Sequence, residues 1–139
     1  MIERRTALLC LAAAMASLSG PALAATAVIS GTVTYRERVA LPPGARLEVK
    51  LLDVSLADAP ARTLAATTIR PHGGVPIPYR LRIDRSRIRP GHSYALQAQI
   101  FVGRQLWFTT TTRHGVFGDG PDMTDIMVQR VASAAGGAR

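Results

Sequence analysis

Alternation of apolar and polar residues over short segments is the feature that most constrains the fold of this 139-residue chain. In ARLEVKLLDV, residues 45–54, every second residue from Leu47 to Leu51 is apolar and the residues between them are charged. Successive side chains of a strand point to opposite faces, so this pattern predicts a half-buried strand. Six more segments have strand character and are bounded by turn-forming residues: 27–35, 62–69, 77–84, 93–102, 105–112 and 125–131.

Seven short strands without a convincing helix predict an all-β fold. Strands of this length and spacing are typical of a two-sheet antiparallel β-sandwich with immunoglobulin-like architecture. The segments 93–102 and 105–112 are separated by Gly103-Arg104 and are the best candidates for a hairpin. A small closed barrel is the alternative.

The first 24 residues have the order of an export signal: Arg4 and Arg5, an apolar run over residues 6–18, and the small-x-small triplet that ends at Ala24. We therefore expect a signal peptide at 1–24 cleaved after Ala24, a periplasmic β-sandwich domain at 25–132 and a flexible tail at 133–139. A retained N-terminal anchor is the alternative.

Cys10 is the single cysteine of the chain. It lies inside the apolar run and follows Leu9, whereas an acylated lipoprotein cysteine ends such a run and follows a small residue. The sequence therefore contains no convincing lipobox at Cys10. The segment after Ala24 has no cysteine, which excludes a disulfide and a thiolate metal site from it.

The charge balance is strongly basic, with 17 Lys and Arg against 9 Asp and Glu. A basic surface favours anionic partners, such as lipid headgroups, acidic glycans or an acidic protein, while nucleic acid is a poor partner for an exported chain. The densest cluster of charge is a candidate anion-binding patch, while the pattern favours a solvated, self-repelling strand face. It consists of Arg80, Arg82, Arg85, Arg87 and Arg89.

No catalytic or metal-binding motif is present. No serine lies in a Gly-x-Ser-x-Gly elbow. The three histidines lie in predicted turns and are expected to be exposed, and the aspartates of GDGPDMTD lack the spacing of a calcium loop. We therefore predict a protein that is not an enzyme and has no cofactor and no metal. The residues considered are His72, His92, His114, Asp119, Asp122 and Asp125.

Aromatic residues in the predicted hairpin are the candidates for partner binding. Trp107 and Phe108 are adjacent, so one of them points away from the core unless both sheet faces are covered. With Phe101 on the preceding strand, they predict an exposed groove for a protein segment. Coverage of both sheet faces is the alternative.

Four stretches resemble the YbaY/YscW family of exported bacterial proteins: residues 28–61, VPIPYRLRID, YALQAQIFVGRQLWFTTT and MTDIMVQRV. The resemblance implies a β-sandwich without a catalytic signature. It also implies a pilotin-like function, in which a lipoprotein binds a segment of a secretin and helps it assemble in the outer membrane. Within the resemblance, Asp53 is expected to have a structural role and to hydrogen-bond loop amides.

These observations together predict a non-enzymatic, chaperone-like binding protein of the periplasm whose partner is a segment of an outer-membrane or periplasmic protein. The alternative is a protein that binds envelope glycans or lipid headgroups, with Trp107 as a stacking platform and the arginine cluster as the anion site. An enzyme is the weakest hypothesis. It would require Asp53 or Glu37 to lie in a deep pocket opposite a second carboxylate.

Overall fold

A computed structural model describes residues 25–131 of the chain. The predicted signal peptide and the predicted tail lie outside the described residues. Within the described range no helix is long and apolar enough to span a membrane. The strands are β1 Thr26–Thr34, β2 Ala45–Asp53, β3 Arg62–Ile69, β4 Ile77–Asp84, β5 Tyr94–Val102, β6 Gln105–Thr110, β7 His114–Val116 and β8 Ile126–Arg130. A 3-10 turn covers Arg85–Arg87.

The prediction of an all-β fold is confirmed, and each of the seven predicted segments contains a strand. Strand β7 lies outside the seven predicted strands and contains His114, which was predicted to lie in a turn. It pairs with the first part of β5, where Tyr94 faces Val116, while β6 pairs with the last part of β5. Three residues are too few to show a period of two, so local pattern could not detect this strand.

The strands form one continuous path, in the order β3-β2-β5-β6-β8-β1-β4, with β7 beside β5. Strand β8 joins the two halves of the path because it pairs antiparallel with β6 and parallel with β1. The result is a nearly closed barrel, and not clearly the two-sheet immunoglobulin-like sandwich that the sequence predicted. It is closer to the small barrel that was the alternative.

The barrel is left open between β3 and β4, the two ends of the path. These strands approach each other without forming a ladder. We call this opening, with its two facing strand edges, the seam. It contains a cleft of about 370 Å³ lined by Ala66, Thr67, Arg80 and Arg82.

Apolar side chains from the inward positions of the strands fill the interior. Phe108 is fully buried and stacks on Tyr35, with 4.3 Å between the ring centroids. Full burial of a large apolar side chain contributes about 1.5–3 kcal/mol, so the alternation seen in the sequence supplies most of the driving force for folding. The most deeply buried large side chains are Phe108, Leu47, Leu51, Leu81, Ile83, Ile100, Ile126, Val33, Val49, Val116 and Val128.

The segment between β7 and β8 crosses β1 at Gly31. A Cβ atom at Gly31 would collide with the backbone carbonyl of Thr124. The Tyr79 hydroxyl donates a hydrogen bond of 2.6 Å to the same carbonyl, and the Asp125 carboxylate accepts one of 3.2 Å from the Thr32 amide. Burial, and then the charge of Asp125, raise the pKa of Tyr79 to about 12, so the hydroxyl stays protonated and able to donate well above neutral pH.

Candidate partner-binding surfaces

An irregularity in the β5–β6 ladder concentrates apolar side chains on the sheet. Ile100 faces Phe108 and Phe101 faces Leu106, so Trp107 is an extra residue between two regular pairs. Such a bulge places two residues opposite one and re-aims their side chains. Phe101, Leu106 and Trp107 are therefore close together, and all three are half-buried.

Arginine side chains flank these residues on both sides. The Arg46 guanidinium lies 4.7 Å from the centroid of the Phe101 ring, and that of Arg130 lies 4.5 Å from the centroid of Trp107. Cations at these distances are attracted by the negative face of the ring. We call Arg46, Phe101, Leu106, Trp107 and Arg130 the aromatic surface.

The three aromatic residues predicted as partner contacts do not lie on one surface. Phe101 and Trp107 lie on the aromatic surface, whereas Phe108 has no exposed area and belongs to the core. Phe108 is therefore not accessible to a partner in this structure. Its stacking on Tyr35 explains its inward position.

The predicted anion-binding residues lie at the seam and just beyond it. Arg80 and Arg82 project outward from β4, Arg85 and Arg87 belong to the 3-10 turn, and Arg89 follows. Within residues 25–131 none of the five forms an ion pair, since the pairs found there are Arg46–Glu48 and Asp53–His92. We call these five residues the arginine patch.

Two members of the patch are held by backbone contacts. The Arg87 guanidinium donates a hydrogen bond of 2.7 Å to the Leu64 carbonyl across the seam, and the Arg89 amide donates one of 2.8 Å to the Tyr94 hydroxyl. Arg80 and Arg82 are exposed at the open part of the seam. Arg87 and Arg89 are therefore held in place by hydrogen bonds, while the side chains of Arg80 and Arg82 are accessible to a ligand.

The structural role expected for Asp53 is confirmed. Its carboxylate accepts hydrogen bonds from the amide and hydroxyl of Ser55 through one oxygen and contacts His92 Nδ1 at 2.7 Å through the other. The Ser93 amide donates to the Ser55 hydroxyl at 2.9 Å. These contacts tie the end of β2 to the turn before β5.

This group does not have the geometry of a catalytic triad. The carboxylate separates the Ser55 hydroxyl from the imidazole, so His92 is not placed to take the serine proton. In the part of the chain that the structure describes, the cleft around Asp53 has no second carboxylate in its wall. Glu37 is exposed in the loop after β1. The prediction that the chain is not an enzyme remains a prediction.

The histidines lie apart. His72 is exposed, as expected of a turn residue, and His92 is bound to Asp53. The expectation of exposure was wrong for His114, which is buried in β7 with Nδ1 3.0 Å from the Thr112 carbonyl. Among the described residues no three His, Cys, Asp or Glu side chains come together as a metal site.

The fold and these surfaces define a small all-β protein that presents aromatic and arginine side chains on its outside. By sequence the chain belongs to the YscW family, described as type III secretion system lipoprotein chaperones, whose model matches residues 24–128. The family resemblance inferred from the sequence is thus confirmed, and membership of a lipoprotein family marks the chain as exported and envelope-associated.

Two known proteins show the extent of the similarity. The chain is 40% identical over 117 residues to the uncharacterized lipoprotein YbaY of Escherichia coli K12, which covers 79% of this chain and 62% of that protein. The chain thus aligns with about three fifths of that relative. A solved structure, of an alternative pilotin from the type II secretion system of Vibrio cholerae, matches with a TM-score of 0.72 and 36% identity, over 78% of this chain and 100% of the pilotin chain.

Proposed function

We propose that this chain is a pilotin-like protein of the cell envelope that binds a segment of a secretion-apparatus protein, of the secretin type, in a chaperone-like manner. The segment contacts Phe101 and Trp107. The family is described as one of lipoprotein chaperones, and the pilotin structure is matched over its whole length. Periplasmic location and cleavage after Ala24 are part of the proposal.

The observation that carries the proposal is the aromatic surface. Phe101 and Trp107 are only half-buried, and Trp107 packs part of its side chain against the core while the rest stays accessible. Trp, Tyr and Arg dominate the binding energy of protein interfaces, and here Trp107 is paired with an arginine. The comparisons give no support to the glycan- or lipid-headgroup-binding alternative.

The test is capture of partners from an envelope extract with the tagged chain, followed by washing at high salt. Screening weakens contacts that depend on exposed charges, while an apolar contact persists. Trp107→Ala and Phe101→Ala are the test variants. Leu56→Ala is the matched control, because Leu56 is highly exposed in the loop after β2.

We expect an outer-membrane secretion protein to be retained by the parent chain and by Leu56→Ala, and to be lost by Trp107→Ala. Titration with the isolated segment of that protein should show about thirtyfold weaker binding for Trp107→Ala, as removal of an interface hot spot costs about 2 kcal/mol. Equal retention by the parent and Trp107→Ala would overturn the role of this surface. Retention of salt-labile glycan or lipid alone would overturn the proposed function.

A further inference from the structure

We propose that the seam accepts an acidic, extended protein segment, which adds as a strand to the free edge of β4. The inference rests on the proposed function, since it takes the partner to be a protein, and it concerns a part of that partner other than the segment that contacts Phe101 and Trp107. It uses the side of the barrel opposite the aromatic surface, because β6 stands three strands from each edge of the path.

The hydrogen-bonding direction of β4 follows from its ladder with β1. In the ladder Thr26 faces Asp84, so Ala25 faces Arg85 one position further on. The Arg85 amide donates to the Ala25 carbonyl at 3.0 Å, so this is a hydrogen-bonded pair. Pairs of an antiparallel ladder alternate between bonded and non-bonded. The backbone groups of Leu81, and of every second residue before and after it, therefore hydrogen-bond to β1. The amides and carbonyls of Arg80 and Arg82 point to the seam.

Pro78 gives independent support for this assignment. It faces Thr32 in the ladder and belongs to the same alternate set as Arg80 and Arg82. Proline has no amide hydrogen, so within a sheet it occupies edge strands with its nitrogen toward the open side. The free edge of β4 thus offers the amides and carbonyls of Arg80 and Arg82, while Pro78 has no amide hydrogen to donate.

The opposite wall of the seam is the edge of β3. The Val54 amide donates to the Ser93 carbonyl at 2.8 Å, so the even-numbered residues of β2 bond to β5 and the odd-numbered ones bond to β3. Val49 then bonds to Thr67, and the backbone of Ala66 and Thr68 points to the seam. The hydrogen bond from Arg87 to the Leu64 carbonyl closes one end of the seam.

Charge defines the segment that fits. A strand added to β4 would place alternate side chains beside Arg80 and Arg82 on the outer face, and the others beside the inward-facing Tyr79 and Leu81. The nearest wall of β3 offers the small side chains of Ala66 and Thr67. The complementary sequence therefore alternates acidic and apolar residues, with main-chain hydrogen bonds giving affinity and alternate side chains giving specificity.

The experiment titrates the full chain, labelled with ¹⁵N, with a capped decapeptide of alternating valine and glutamate. The first comparison peptide has lysine in place of glutamate, and the second keeps glutamate but is methylated at every backbone nitrogen. We expect binding of the first peptide only, with slower exchange of the Arg80 and Arg82 amides. Slowed exchange reports a new ladder, which attraction of charges alone does not create.

Variants locate the site. Arg80→Glu with Arg82→Glu should weaken binding at least tenfold, since two attractions become repulsions. Arg104→Glu with Arg113→Glu changes the net charge equally away from the seam and should leave binding unchanged. Equal binding by both double variants, equal binding of the methylated peptide, or unchanged exchange at Arg80 and Arg82 would each overturn the inference. Such a result would not change the outcome of the envelope capture with the parent chain and Trp107→Ala. Failure of this inference can therefore be told apart from failure of the proposed function.

Discussion

At the scale of residues, Asp53 shows how one carboxylate can fix the end of a barrel. It binds Ser55 through one oxygen and His92 through the other, and so joins the segments after β2 and before β5. Hydrogen bonds from Ser55, then that from His92, lower the pKa of Asp53 from 3.8 to about 2, against a small opposing effect of burial. The charged form is therefore favoured in the folded chain.

The lowered pKa of Asp53 predicts a contribution to stability that depends on pH. A group with a depressed folded pKa stabilises the fold above its unfolded pKa, and this contribution is lost as pH falls through the folded value. Asp53→Asn should therefore be less stable than the parent at neutral pH, and the difference should shrink between about pH 4 and pH 2. Urea unfolding at several pH values measures it.

Asp58→Asn is the control, because Asp58 is exposed in the same loop. A difference between Asp53→Asn and the parent that stays constant from neutral pH to pH 2 would contradict the assignment.

At the scale of elements, the segment before β8 can cross β1 only because Gly31, at the crossing point, has no side chain. Gly31→Ala would place a methyl group against the Thr124 carbonyl, which also accepts from Tyr79. Overpacking of this kind costs about 1–3 kcal/mol. We expect a loss of that size in the free energy of unfolding, measured by urea denaturation.

Gly74→Ala provides the comparison for Gly31→Ala. A Cβ atom at Gly74 has nothing within 4 Å, so this variant should be close to the parent in stability. Equal stability of the two variants would mean that β1 and the Thr124 backbone can separate without cost.

The elements also show where the sequence was informative. Alternation located seven strands because a strand with one buried face repeats every two residues. The β5–β6 bulge interrupts that repeat, which is why Trp107 and Phe108 could not be assigned to opposite environments in advance. Strand β7 is too short to carry a pattern, and with it the burial of His114 was missed.

At the scale of the whole molecule, the order of strands could not be obtained from local pattern. Whether seven strands make two sheets or one path depends on β8, which pairs with both β6 and β1. Pairing between such distant segments is set by tertiary packing, which leaves no local trace. One local signal of the seam did exist, because Pro78 within a strand indicates an edge.

An open seam predicts a pattern of hydrogen exchange across the barrel. Strands β2 and β5 have ladders on both sides and should exchange most slowly. At the seam, the Arg80 and Ala66 amides should exchange faster than those of Leu81 and Thr67, which bond to neighbouring strands. Nuclear magnetic resonance of the unliganded chain measures each amide separately.

Equal protection of Arg80 and Leu81 in that experiment would show that β3 and β4 are paired in solution. The barrel would then be closed, and the strand-addition site would be absent before any peptide is tested.

The proline and arginines of β4 also bear on how copies of the chain meet one another. Exposed strand edges promote aggregation, and natural proteins protect them with charges and prolines. Two β4 edges paired with Arg80 opposite Arg82 would oppose cations with cations and would lack the donor missing at Pro78. The same edge therefore resists self-association, so the chain can keep an unpaired strand without polymerising through it.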